Sequence, residues 1–280
     1  EMHLAAYRTV RPGIHESEVA AAVEEVACRH GNALAFPTIA TVQGQVLHNH
    51  GFIHQLNEGD IFLLDAGAET KSHYAGDLSS SMPVGEKFTD RQAEVYNIHL
   101  RSFYAAVDKL ELDVTFREAH IAAATEIARG MKELGLMKGD PAEAAECGAY
   151  ALFFPCGLGH MVGLDVHNME NLGEQYVGYA EGQVKSKQFG FKSLRLARPL
   201  EKGFVFTVEP GIYFIPELMD RWEAEGQFRD FICYDKLKPW RNFTGLRNEL
   251  NYAMNEKGAR LLGTIKKPMT IEEVYKAKNN

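Results

Sequence analysis

Cysteine is scarce and scattered: Cys28, Cys147, Cys156 and Cys233 are the only ones in 280 residues, and none has a partner at ligand or redox spacing. That excludes a zinc ribbon and a disulfide framework, and it fits a reducing cytoplasm. No apolar run approaches the roughly 20 residues a helix needs to cross a bilayer, and no charged-then-apolar leader opens the chain. A membrane partner is therefore not expected. Positive charge is in deficit, with 30 Lys and Arg against 38 Asp and Glu and a net charge of −8. This argues against a nucleic-acid surface and leaves small substrates open. Low-complexity segments and a convincing interdomain linker are also lacking. One domain is expected over residues 1–265, followed by a tail at 266–280 with little pattern and little reason for order. The first residue is Glu1 rather than methionine, and Glu1 to Arg8 has the character of mid-helix. We expect an upstream segment that is absent from this chain.

The composition that remains, 45% hydrophobic and 24% charged, is that of a soluble globular protein with ample core. Glu16 to His30 carries Val19, Val23 and Val26 on one helical face and stops at Gly31. Leu34 to Val42 is strand-like around Pro37. Ile61-Phe62-Leu63-Leu64 predicts a strand buried on both faces, with Asp65 directly after it. Thr89 with Gln92, Thr115 with Glu118, and Asp140 with Pro141 and Glu143 each combine a capping side chain with an acid or amide three positions on. The last of these helices is expected to run to about Phe154. Lys202-Gly203 then opens a second apolar strand, Phe204 to Val208, ending in Glu209-Pro210-Gly211, an echo of Asp65-Ala66-Gly67. Pro216 to Phe243, with Trp222 and Trp240, is either a solvated surface excursion or a lid over a site. Gly245 to Tyr252 resumes as a strand carrying Arg247 and Glu249.

The stretch from Phe154 to His167 holds three glycines and places His160 and His167 around an apolar run that alternates like a strand. A histidine in such a run is more often a hydrogen-bonded core residue than a ligand. The acids change the balance. Glu209, between Phe-Val-Phe-Thr-Val and Pro-Gly, is placed where burial follows, and a buried carboxylate must be paired, protonated or bound to a cation. Glu249 follows the same logic, with Arg247 as a salt-bridge alternative. Asp65 and Asp77 bracket a hairpin-like segment, where a turn role is the plainer account of Asp77. Carboxylates converging with His160 would repel one another without cations. Oxygen ligands with one imidazole suit Mn2+, Co2+ or Zn2+. Four acids exceed the needs of one ion, so two ions sharing bridging acids is the economical arrangement, and such a pair can hold a bridging hydroxide for hydrolysis.

The segments Leu63-Leu64-Asp65-Ala66-Gly67-Ala68-Glu69, Gly76-Asp77, Gly157-Leu158-Gly159-His160 with Gly163-Leu164-Asp165-Val166-His167, Thr207 to Tyr213, and Gly245-Leu246-Arg247-Asn248-Glu249 together resemble the M24 metallopeptidases. The resemblance is to the Xaa-Pro aminopeptidase and prolidase branch, and it spans almost the whole chain in order. It implies an α+β pita-bread fold, two pseudo-symmetric α/β halves around a dinuclear metal site, usually behind a separate N-terminal domain. It implies Asp65, Asp77, His160, Glu209 and Glu249 as metal ligands, with Asp77 and Glu249 bridging two divalent ions, manganese ahead of cobalt or zinc. His48 and His167 would contact substrate, and Glu209 would also shuttle a proton. Arg247 would orient the carboxylates from behind.

Three departures from the branch stand out. Cys156 stands where a histidine is usual, Ser79 and Ser80 replace a threonine-arginine pair, and Leu250 replaces an acid. None removes a metal ligand, so substrate preference is touched more than metal binding. The expected activity is removal of the N-terminal residue from peptides with proline second. A prolidase confined to Xaa-Pro dipeptides is the alternative, and a non-catalytic binding module with a peptidase fold is the alternative of another class. A homo-oligomer is the expected assembly.

Overall fold

A computed structural model describes residues 1–279. In its first half, α1 (Met2–Thr9) and α2 (Glu16–Arg29) pack on each other and on an antiparallel sheet of β1 (Ile39–Thr41), β2 (Ile61–Ala66) and β3 (Leu78–Pro83), with β2 central. The apolar stripe of α2 buries Val19, Ala20, Val23 and Ala27, and Gly31 in the left-handed region follows its end. Ile61 to Leu64 are buried on both faces, as their composition demands. The strand expected over Leu34–Val42 shortens to β1. Pro37 has no N–H for a ladder, and upstream of it only an isolated bridge, Leu34 to Ala68, forms among the described residues.

The second half opens with α3 (Asp90–Val107) and α4 (Phe116–Glu133), which start at Thr89 and Thr115 with the reciprocal capping boxes the sequence spells out. Next, α5 (Pro141–Cys147) is capped by Asp140 but ends earlier than its expected limit near Phe154. Gly148 takes a left-handed conformation, φ 91°, and a single 3-10 turn over Ala149–Leu152 follows. After α6 (Glu174–Gly178) come β4 (Val205–Val208) and β5 (Gly211–Tyr213), then α7 (Pro216–Glu225), α8 (Tyr234–Leu237), β6 (Gly245–Arg247), β7 (Leu250–Asn255), β8 (Gly258–Leu261) and α9 (Ile271–Lys278).

Sheet register explains how two of the acids meet. β4 pairs with β7 and β5 with β6, both antiparallel and in one common register, so the two ladders are a single ladder with a gap. The gap leaves Glu209 facing Glu249 and Pro210 facing Asn248. Pro210 has no N–H to continue the pairing, which accounts for the interruption at this point. On the other side of β4, Leu158 to Val162 runs alongside it: Glu209 N–H donates to the Leu158 carbonyl, Thr207 to His160 and Val162 to Val205. The strand-like alternation around His160 is thus realised as an edge along β4. Gly159 is required there, because a Cβ would strike the Thr207 carbonyl.

Two expectations change. The 216–243 segment is a largely solvent-facing stretch pinned by its aromatic residues, not a lid. Trp222 packs on Phe189 and Phe228, Trp240 stacks on Phe214, and both indoles are buried away from the cavity described below. The tail beyond Lys266 is ordered as α9. Thr270 and Glu273 form another capping box, Val274 is buried against the core, and Tyr7 and Tyr96 donate to the carbonyls of Pro268 and Met269. Among the described residues no helix is long and apolar enough to cross a membrane.

Candidate metal centre

Each half of the fold brings acids to one spot. Asp65 is next to last in β2, opposite Ser79 of β3, and Asp77 immediately precedes β3. The connecting turn needs Gly67, since a Cβ there would collide with the Gly76 carbonyl. From the other half, the ladder gap presents Glu209 and Glu249, and the edge beside β4 presents His160. His160 Nε2 lies 3.3 Å from Asp77 Oδ2 and 3.4 Å from Glu209 Oε1. All five expected ligands therefore converge, at the bottom of a cavity of about 670 Å³.

The arrangement is electrostatically strained. Burial raises the carboxyls of Asp65, Asp77 and Glu209 above the ordinary carboxylate range, and that of Glu249 well above it, and the acids reinforce one another. Burial pushes His160 down, but Asp77 and Glu209 outweigh it and bring the imidazole to about 8. The cation at the centre is Arg247, at the end of β6. Its Nη2 lies 2.5 Å from Asp65 Oδ2, Nε donates to Ser79 Oγ at 2.8 Å and Nη1 to Tyr213 Oη at 2.9 Å. Ser79 Oγ in turn donates to Glu249 Oε2 at 2.8 Å. Ser79 thus keeps a hydroxyl link between arginine and acid, while Ser80 faces away and meets His3 Nδ1 at 2.8 Å. Arg247 and Glu249 are joined through Ser79, and the ion pairs of Arg247 go to Asp65 and, at 4.0 Å, to Glu209.

Within the acid cluster, two buried oxygens have no hydrogen-bond partner among the described residues: Asp65 Oδ1 and Glu249 Oε1. Each acid spends one oxygen on the protein and leaves the other free. Ligand atoms of Asp65, Asp77 and Glu249 lie within 4.8 Å of one another, and so do those of His160, Glu209 and Glu249. His160 Nδ1 is 3.1 Å from the Met161 carbonyl, which can only accept, so the proton belongs on Nδ1 and Nε2 faces the acids. Two groups of oxygen-rich donors sharing one carboxylate, with orphaned oxygens and a correctly oriented imidazole, fit a pair of hard divalent cations.

Around this floor, Phe36, Pro37, Leu47 and Val166 make an apolar wall, with His48 at the exposed rim. Burial, then the charges of Arg247, His50 and Arg195, push the His48 imidazole down. His167 sits in a turn rather than on the strand expected for it. Its ring is edge-on to His160 with centroids 4.3 Å apart, and its Nδ1 donates to Glu170 Oε2 at 2.7 Å. Although burial works the other way, His167 and Arg195 hold Glu170 down to about 2. Arg195 bonds Glu170 and Glu174, and with Lys185 it lines the cavity. No spacing or periodicity singles out Glu170, Glu174, Lys185 or Arg195. They come from a loop-rich stretch and meet only in three dimensions. Cys156 also lines the cavity, and burial pushes its thiol up to about 12.

Fold and site together define a protein with a buried carboxylate and histidine centre for divalent cations beneath an open cleft. The chain belongs to metallopeptidase family M24, whose model matches residues 1–256. It is 36% identical over 219 residues to an Xaa-Pro dipeptidase of Rattus norvegicus, covering 78% of this chain and 42% of that protein. It is 31% identical to the Xaa-Pro aminopeptidase of Escherichia coli over 282 residues, 98% of this chain and 55% of the relative. The solved structure of Pseudomonas aeruginosa aminopeptidase PepP superposes with a TM-score of 0.79 at 28% identity, covering 99% of this chain and 55% of that one. The fold is the pita-bread fold. The chain spans about half the length of the curated relatives it matches.

Proposed function

We propose that this chain is the catalytic part of a metal-dependent exopeptidase that removes the N-terminal residue from peptides with proline in second position. The observation that carries the reading is the pair of donor groups sharing Glu249, with unpartnered oxygens on Glu249 and Asp65. Asp65, Asp77, His160, Glu209 and Glu249 would hold two divalent cations, manganese first, with Asp77 and Glu249 shared. Such a pair supplies an activated water and offsets charge developing on a carbonyl oxygen.

The chain's own groups account for the remaining steps. Phe36, Pro37, Leu47 and Val166 offer the apolar surface a prolyl ring needs. Glu209, its carboxyl raised by burial, is suited to accept a proton from water and deliver it to the departing prolyl nitrogen. His167, its ring fixed by Glu170, and His48 at the rim would position the substrate and stabilise the tetrahedral stage. Arg247 holds Asp65 and, through Ser79, Glu249. An upstream domain as partner, the cytoplasm and a homo-oligomer belong to the same proposal.

A second reading, an Xaa-Pro dipeptidase, is favoured by Arg195 and Lys185 in the cavity wall, where a free prolyl carboxylate would find positive charge. Against it, Glu170 and Glu174 already neutralise Arg195. The test is hydrolysis of an Xaa-Pro dipeptide and an Xaa-Pro-Yaa tripeptide by the manganese-loaded protein, with Glu249→Ala as control. Cleavage of the tripeptide supports the aminopeptidase, cleavage of the dipeptide alone supports the second reading, and cleavage of neither defeats both.

A further inference from the structure

Lys267 reaches the acid cluster from behind. It lies between β8 and α9, in the segment whose order the sequence did not announce, and its Nζ donates to the Ser79 carbonyl at 2.6 Å and to Asn248 Oδ1 at 3.2 Å. Both acceptors are neutral. Burial pushes the ammonium down to about 7, against the opposing pull of Glu249. A cation buried on neutral partners is costly, and packing alone does not call for one, because methionine fills nearly the same volume.

What the two acceptors do gives the lysine a purpose. The Ser79 carbonyl also accepts the Glu249 N–H at 3.1 Å, and Ser79 Oγ donates to Glu249 Oε2. Asn248, next to Glu249, accepts the Ser81 N–H through the same Oδ1 that Lys267 holds, at 3.3 Å. These contacts are the means by which β3 braces the gap between β6 and β7. The gap lacks a ladder bond where Asn248 faces Pro210, which has no N–H, and there His99 Nε2 takes up the Asn248 N–H at 3.2 Å and meets the Pro210 carbonyl at 2.8 Å. The amine has N–H groups enough for both oxygens with or without its third proton, so the brace sits where the ladder is missing.

We infer that Lys267 is a positioning residue for Glu249: it fixes the Ser79 carbonyl and Asn248, and so the backbone from which the shared carboxylate serves two cations. The inference rests on the two-cation reading of the site, and it deepens that reading by tying the affinity for the second ion to a residue outside the ligand set.

The experiment is calorimetric titration of chelator-stripped full chain with MnCl2 for wild type, Lys267→Met and Lys267→Arg, alongside melting of each stripped protein. Wild type should take up two ions. Lys267→Met should bind one of them about 10–100-fold more weakly, the usual loss when a group supporting a ligand is removed. Its stripped form should melt no lower than stripped wild type, and Lys267→Arg should recover most of the affinity. Wild-type affinity in Lys267→Met, or a loss of affinity matched by a lower melting point of the stripped protein, overturns the inference. If the methionine variant does not fold, Lys267→Gln is titrated with the same criteria. Failure of wild type to bind manganese would instead defeat the metal-site reading, so the two failures are separable.

Discussion

Glu209 and Glu249 face each other across the one gap in an otherwise continuous antiparallel ladder. Two buried acids opposed in this way cost stability until a cation joins them. The first prediction follows from that cost. In chelator-stripped protein at pH 8, Glu249→Gln should melt higher than wild type, since it removes the acid that burial and its three neighbours raise furthest. A gain of about 1 kcal/mol corresponds to roughly 2–4 °C at this chain length. The same variant should show no melting response to Mn2+ and no peptide hydrolysis. A lower melting point for stripped Glu249→Gln would refute the account of strain.

How far the sequence spoke depended on whether a feature is local. Thr89, Thr115 and Asp140 with their partners announced three helix starts, because a cap is a matter of three residues. Ile61 to Leu64 announced a doubly buried strand, and the acids at strand ends pointed to a cation site. Thr270 and Glu273 carry the same capping signal in the tail, but α9 is short and buries only Val274, so no apolar stripe accompanies the cap. The helix α5 stops at Gly148, in the left-handed region, well before Pro155, because a glycine there closes the last turn and is a weaker stop signal in sequence than proline. Arg195, Glu170 and Lys267 were illegible for a different reason. Arg195 and Lys267 act through partners at least 19 residues away, and Glu170, three residues from His167, takes its other partner, Arg195, from 25 residues on, so no periodicity encodes the set.

Proton and metal should compete in a measurable way. Asp65, Asp77, Glu209 and Glu249 have raised carboxyls and His160 is raised to about 8, so the metal-free fold holds protons that the unfolded chain has released. For such groups the stabilising contribution is present below the unfolded pKa values and is lost as pH rises through the folded ones. Cation binding needs the deprotonated forms and runs the opposite way. The melting difference between manganese-loaded and stripped protein should therefore grow from pH 5.5 to pH 8.5, spanning the ordinary histidine value of about 6.5. Titrations in buffers of different ionisation enthalpy should show net proton release at pH 7. A constant melting difference with no proton release would contradict the assignment of these groups as ligands.

Cys156 is the most visible departure at the site, and its thiol is pushed up to about 12 by burial. A neutral thiol is a poor nucleophile. Iodoacetamide at pH 8 should label exposed Cys28 first and leave Cys156 unmodified in the folded protein, as read by peptide mass spectrometry. Cys156→Ala should keep two-ion binding and change KM for proline peptides more than kcat, because the side chain lines the cavity without belonging to the acid cluster. Rapid alkylation of Cys156 with loss of hydrolysis would show a reactive thiol where burial forbids one.

His167 and Glu170 give the last prediction. The Nδ1 of His167 donates to Glu170 at 2.7 Å, and Arg195 holds Glu170 from its other oxygen. The imidazole is therefore fixed from behind, with Nε2 left as its free nitrogen. His167→Ala should lower kcat about 10²–10³-fold, the usual effect of deleting one group that stabilises an oxyanion. Its affinity for manganese should stay at the wild-type value, because the donors that share Glu249 do not include it. Glu170→Gln keeps an oxygen to accept from Nδ1 but not its charge, so a smaller loss in kcat is expected. Loss of a bound ion in His167→Ala would move this residue into the ligand set, which is open to it geometrically because its nitrogen also lies within 4.8 Å of the donor atoms of Asp77 and His160.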